Sequence, residues 1–150
     1  AAHSVSHYLI TYYGMRSQMY AVDKNAFTLP LASGRRLRFV ALPHLHAPGT
    51  IATYDESTRV LFSGDLFGGF SGEWSLYVRE DSQEGIRNFH RALMPSRELL
   101  RRGLRRLKGL EIELIAPQHG SVIRKEEIAS YFEMLWNLEC GWDLQPAEGG

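Results

Sequence analysis

Three short segments of this sequence carry side chains that could hold metal ions, each beside Gly or Pro. They are His44-Leu45-His46-Ala47-Pro48-Gly49-Thr50, then Leu61-Phe62-Ser63-Gly64-Asp65, then Ala116-Pro117-Gln118-His119-Gly120. Imidazoles and a carboxylate are a usual ligand mixture for iron, zinc or manganese. A carboxylate has two oxygens and can bridge two ions, whereas an imidazole normally serves one. Taken singly each segment is weak, because a histidine after a strand is commonly a hydrogen-bonded structural residue and an Asp beside Gly is commonly a turn. Their order in one chain is the specific signal. It points to His46, Asp65 and His119 facing one cleft at a sheet edge.

Ligands of this kind need rigid elements behind them. Residues 4–13 read as a short helix closed by Gly14. Residues 26–31 and 36–42 read as a hairpin, with Arg36 and Arg38 alternating against Leu37 and Phe39. A second strand pair, 51–55 and 59–63, surrounds the turn Glu56-Ser57-Thr58. After the glycine-rich stretch 64–72, a helix is expected over 84–93, stopped at Pro95. Ser96 is a good N-cap for the next helix, with Leu99, Leu100, Leu104, Leu107 and Leu110 near one face. A buried strand is expected over 111–117 and a last helix over 126–138. Strand pairs followed by helix–strand–helix make an α/β chain with a mixed sheet. The tail 145–150 reads as a linker.

Composition bounds the possibilities. The 150 residues are 44% hydrophobic and 23% charged, with seventeen Lys and Arg against seventeen Asp and Glu. That fits one ordinary domain, and nothing global points to nucleic acid or an anionic membrane. No apolar run approaches the roughly 18–20 residues of a membrane span, and the N-terminus lacks a signal-peptide pattern. The one cysteine, Cys140, rules out an internal disulfide and a cysteine-based zinc cluster. A cytoplasmic location fits these features.

The three segments resemble the last three ligand motifs of the metallo-β-lactamase superfamily, in its branch of flavodiiron and oxygen-binding di-iron proteins. Leu45-His46-Ala47-Pro48-Gly49-Thr50, Phe62-Ser63-Gly64-Asp65-Leu66-Phe67-Gly68, Phe89-His90-Arg91 with Met94-Pro95, and Pro117-Gln118-His119-Gly120 all look like that branch. So do Tyr12-Tyr13-Gly14 and Glu139-Cys140-Gly141. Thiolester hydrolases and lactonases of the superfamily usually show Pro-Gly-His-Thr-Pro-Gly, whereas residues 44–49 lack the leading Pro-Gly.

The resemblance implies the C-terminal part of an αββα sandwich over residues 1–144. It implies two iron ions, His46 on one, His119 on the other and Asp65 between them. It further implies O2 as the bound molecule, in sensing or reduction. Zinc is the alternative, as a di-zinc hydrolase acting on a lactone, thiolester or phosphodiester. A metal-free interaction module is the third reading. The superfamily's first ligand motif, His-x-Glu-x-Asp-His or His-x-His-x-Asp-His, is absent. With no initiating Met, we expect a chain that begins inside its domain and that holds metal poorly as these 150 residues alone. A homodimer, and a fused or separate output or electron-transfer partner, are compatible with this reading.

Secondary candidates are weaker. His90 could support the site or be a half-buried helix histidine. His44 could line the pocket or face solvent. Tyr13 or Tyr77 could reach a bound oxygen species or be ordinary core or surface residues. Trp74, Trp136 and Trp142 read as core or dimer contacts. The cations Arg97, Arg101, Arg102, Arg105, Arg106 and Lys108 read as a solvated helix face, or as a dock for an acidic partner.

Overall fold

In the computed structural model, which describes residues 1–70, 72, 73 and 75–144, one six-stranded sheet organises the chain. Trp74 and the tail 145–150 lie outside the described residues. A 3-10 turn at Ser4–Ser6 leads into α1, His7–Tyr12, which ends at Gly14 with φ 71°. The strands are β1 Thr28–Pro30, β2 Arg36–Ala41, β3 Ile51–Asp55, β4 Val60–Gly64, β5 Leu114–Pro117 and β6 Ile123–Arg124. The helices α2 Ser82–Leu93 and α3 Arg97–Leu107 connect β4 to β5, and α4 is Lys125–Trp136.

The sheet keeps sequence order from β1 to β6. Every pairing is antiparallel except β4 with β5, where the two-helix crossover returns the chain in parallel. The expected mixed sheet is therefore present. The elements depart from expectation at their ends. Residues 111–113 stay outside β5, with the Glu113 N–H held by the Arg59 carbonyl at 3.0 Å. The two-residue strand β6 was not expected, because a pair of residues carries no readable alternation.

Strand alternation divides the sheet into two faces. Val40, Ala52, Tyr54, Leu61 and Ile115 lie in one core with Leu100, Leu104 and Leu107 of α3 and Tyr131 and Leu135 of α4. Ser96 caps α3 as expected, its Oγ accepting the Leu99 N–H at 3.3 Å. On the other face, register places Phe39, Thr53, Phe62 and Ala116 side by side. Phe62 is 49% exposed there, whereas Phe39 is buried.

Candidate metal centre

All three candidate ligands leave strand ends on the same edge of the sheet. His46 sits in the loop joining β2 to β3, Asp65 follows β4, and His119 follows β5. Each loop is pinned by its own backbone.

The His46 loop closes on Thr50. Leu42 N–H donates to the Thr50 carbonyl at 2.8 Å, and Thr50 Oγ1 donates to the Ala47 carbonyl at 2.8 Å. Leu45 fixes the other side, 1% exposed and packed where Gly103 leaves room. A Cβ on Gly103 would stand 2.2 Å from Leu45 Cδ1.

The Asp65 and His119 loops are tied together. Gln118 N–H donates to the Gly64 carbonyl at 2.8 Å, and Gly69 N–H donates to the His119 carbonyl at 3.2 Å. Buried Ser63 donates to the Leu66 carbonyl at 2.5 Å, so the chain turns sharply around Asp65. Glycine is required at 120, where φ is 88° and a Cβ would meet the Gly69 nitrogen at 3.0 Å. From the sequence, glycines near the ligands suggest open approach for metal and substrate. In the structure, Gly120 instead lets two ligand loops approach each other.

The side chains converge. His46 Nε2 lies 3.2 Å from Asp65 Oδ2, and His119 Nε2 lies 3.5 Å from Asp65 Oδ1. Each imidazole faces a different carboxylate oxygen. Among the described residues no three His, Cys, Asp or Glu side chains enclose a single ion. The arrangement is instead two pairs that share Asp65. Two ligand atoms on bonds of about 2.1 Å to one ion, at octahedral to tetrahedral angles, stand about 3.0–3.4 Å apart. Both separations are close to that range, so each pair fits one half of a two-ion site. Each half still needs further ligands. Asp65 is 18% exposed and the histidines 45% and 51%, which leaves the centre open on one side.

Two residues of α2 back this centre. Phe89 is buried, its ring centroid 5.6 Å from that of His119. The sequence marked it only within Phe89-His90-Arg91, with no role of its own. His90 is fully buried, not half-buried. Its Nε2 accepts the Phe67 N–H at 3.2 Å, which leaves the proton on Nδ1 to donate to the Ile86 carbonyl at 2.8 Å. His90 thus holds the chain two residues beyond Asp65. Burial pushes its pKa down from 6.5 to about 4, against the opposing pull of the Ile86 carbonyl.

The remaining candidates stand apart from the three. His44 is exposed in a groove beside α3. Tyr13 is 74% exposed and its ring meets Tyr12 edge-on. The Tyr77 ring carries the Arg124 guanidinium at 3.8 Å. Beside His119 a hollow of about 710 Å³ is lined by Phe70, Phe89, Leu93 and Gln118, and no Asp, Glu, Lys or Arg lines it among the described residues.

The family model described as "ODP family beta lactamase" matches residues 1–120. Over 110 residues the chain is 34% identical to the anaerobic nitric oxide reductase flavorubredoxin of Klebsiella pneumoniae, covering 69% of this chain and 23% of that protein. The chain spans only 18 and 26% of two further curated relatives. Among solved structures it resembles the chemotaxis sensor ODP in a peroxy diiron species, with TM-score 0.73 and 30% identity over 77% of this chain and 51% of that one. The flavodiiron protein of Giardia intestinalis gives TM-score 0.78 at 23% identity, over 88% and 33%, and bears on the fold alone. The chain therefore has the metallo-β-lactamase-type fold, in the part that these matches cover.

Proposed function

We propose, from the premise that this chain belongs to the ODP family of beta lactamases, that it supplies the C-terminal half of a di-iron centre that binds dioxygen for sensing. The observation that carries this reading is Asp65, whose two oxygens each face a different imidazole. That is the donor pattern of a carboxylate shared between two ions. His46 would serve one ion and His119 the other. The remaining ligands would come from outside these residues, since the chain spans about half of the ODP chain it resembles.

A pair of iron ions would supply reversible electron transfer to a bound diatomic gas. The chain's own residues do the rest. The bonds between the Asp65 and His119 loops fix the separation of their ligands. His90, neutral and buried, holds the Phe67 amide and so the turn after Asp65. Phe70, Phe89 and Leu93 make an apolar approach to His119. Such a hollow suits a small uncharged molecule better than a phosphodiester, which would need cationic partners. That contrast favours dioxygen over a phosphodiester substrate. An output or electron-transfer partner would complete the function, as in the flavin-bearing relatives by their names.

The test uses the natural polypeptide that carries residues 1–150, with whatever precedes Ala1, purified without oxygen. It is expected to hold about two irons per chain and to change its visible absorption when air is admitted. Zinc with ester hydrolysis and no such change would replace this reading by the hydrolase. Metal-free protein under iron-replete conditions would leave the interaction module.

A further inference from the structure

Cations on most elements of this molecule are matched with carboxylates. Arg59 reaches Glu111 and Glu113, Arg87 and Arg91 reach Glu84, and Lys125 reaches Glu113. Helix α3 is different. Arg97 at its start pairs with Glu139. Beyond it Arg101, Arg102, Arg105, Arg106 and Lys108 have no carboxylate partner among the described residues. Other cations without one, such as Arg16 and Lys24, are scattered through the chain.

Four of these five cations are also held in place. Arg101, Arg105 and Lys108 converge on the Trp136 ring, at 5.1, 5.2 and 5.3 Å from its centroid. Arg101 Nε donates to the Trp136 carbonyl at 2.7 Å, and Arg106 donates to the Ala41 carbonyl at 2.7 Å. Arg101 and Arg105, like Arg102 and Arg106, are four residues apart, where like charges on a helix repel. The face is therefore crowded with positive charge, and although Glu98 lies on the first turn of α3, no carboxylate among the described residues forms an ion pair with these five cations. Beside it lies a groove of about 160 Å³ lined by Leu42, Pro43, His44, Leu99, Arg102 and Arg106. Its floor is apolar, its rim is cationic, and no carboxylate lines it.

We propose that this face of α3, with its groove, docks a carboxylate-rich segment of a partner protein. Guanidinium groups hold carboxylates through paired hydrogen bonds, and the groove accepts the methylenes that carry them. An extended nucleic-acid track fits less well. The formal net charge is zero, and the indole lies under cations instead of being offered to a base. A membrane fits less well too, because no exposed large apolar side chain stands on α3. The inference is independent of any metal.

The chain's three lysines make a mapping experiment possible: Lys24, Lys108 and Lys125. A labelled oligo-glutamate peptide of about ten residues can span α3, which is about 16 Å long. The peptide is expected to bind, and to bind less as salt is raised. Coupling with a carbodiimide should join it to Lys108 in preference to Lys24 and Lys125. The double variant R102Q/R106Q should melt like the parent and bind the peptide about tenfold more weakly. The companion variant R16Q/K24Q should bind like the parent. Equal coupling at the three lysines would overturn the proposal. So would unchanged affinity in R102Q/R106Q, or tighter binding of oligothymidylate or phosphatidylserine vesicles at equal charge.

Discussion

Replacing Asp65 by alanine is expected to empty both metal positions at once, whereas His46→Ala or His119→Ala empties mainly one. The difference follows from sharing. His46 faces only Asp65 Oδ2 and His119 only Asp65 Oδ1, so each imidazole belongs to one pair and the carboxylate to both. A structural ion bound with about 10–16 kcal/mol through four ligands owes about 3 kcal/mol to each, or about a hundredfold in affinity. Removing Asp65 imposes that loss on both ions. Iron should fall from about two per chain to near zero in the Asp65 variant and to about one in either histidine variant. Metal-free stability should hardly move, because the histidines are about half exposed and exposed pairs contribute about 0–1 kcal/mol. Iron content by elemental analysis, with urea unfolding of the metal-free proteins, decides it. Equal losses in all three variants would mean that Asp65 is an ordinary ligand of one ion.

Acid is expected to destabilise the metal-free protein through His90. The buried imidazole is neutral in the folded state and its pKa is held at about 4, against 6.5 when unfolded. Between these values the unfolded chain binds the extra proton. The stabilisation that goes with a neutral His90 is thus complete above about pH 6.5, is lost as pH falls toward about 4, and changes no further below that. The span corresponds to about 3 kcal/mol. Gln at position 90 keeps a donor and an acceptor but cannot titrate. In urea unfolding from pH 7.5 to 4, the parent should lose about 3 kcal/mol more than His90→Gln, whatever their stabilities at neutral pH. Parallel curves would show that His90 is already open to protons in the folded state. A leucine at 90 would instead orphan the Phe67 N–H, at a cost of about 1–3 kcal/mol at every pH.

The two predictions differ in how readable their residues were. The candidate ligands were legible, since His46, Asp65 and His119 stand beside Gly and Pro at the ends of readable strands. The hairpin alternation of Arg36 to Phe39 and the leucine face of α3 were equally plain, because each is a local periodicity. What the sequence hides is long-range. His90 was visible as a histidine on a helix, but its bond to Phe67 spans twenty-three residues and depends on how α2 packs against the Asp65 turn. Phe89 is one of seven phenylalanines, and only the fold brings it to His119. Gly120 looked like room for a ligand, and proved to be room for Gly69. Strand β6 was too short for any pattern. The unmatched charge of α3 was legible as a basic run, yet its lack of carboxylate partners is a property of the whole folded surface.

The central claim is that Asp65 stands between two ions, one beside His46 and one beside His119. A crystal structure of the iron-loaded natural polypeptide, with anomalous scattering recorded on both sides of the iron absorption edge, tests it most directly. The account predicts two anomalous peaks flanking the Asp65 carboxylate, one within bonding distance of His46 Nε2 and the other of His119 Nε2, at about 2.1 Å. A single peak, or peaks that leave Asp65 bound to one ion or to none, would contradict it.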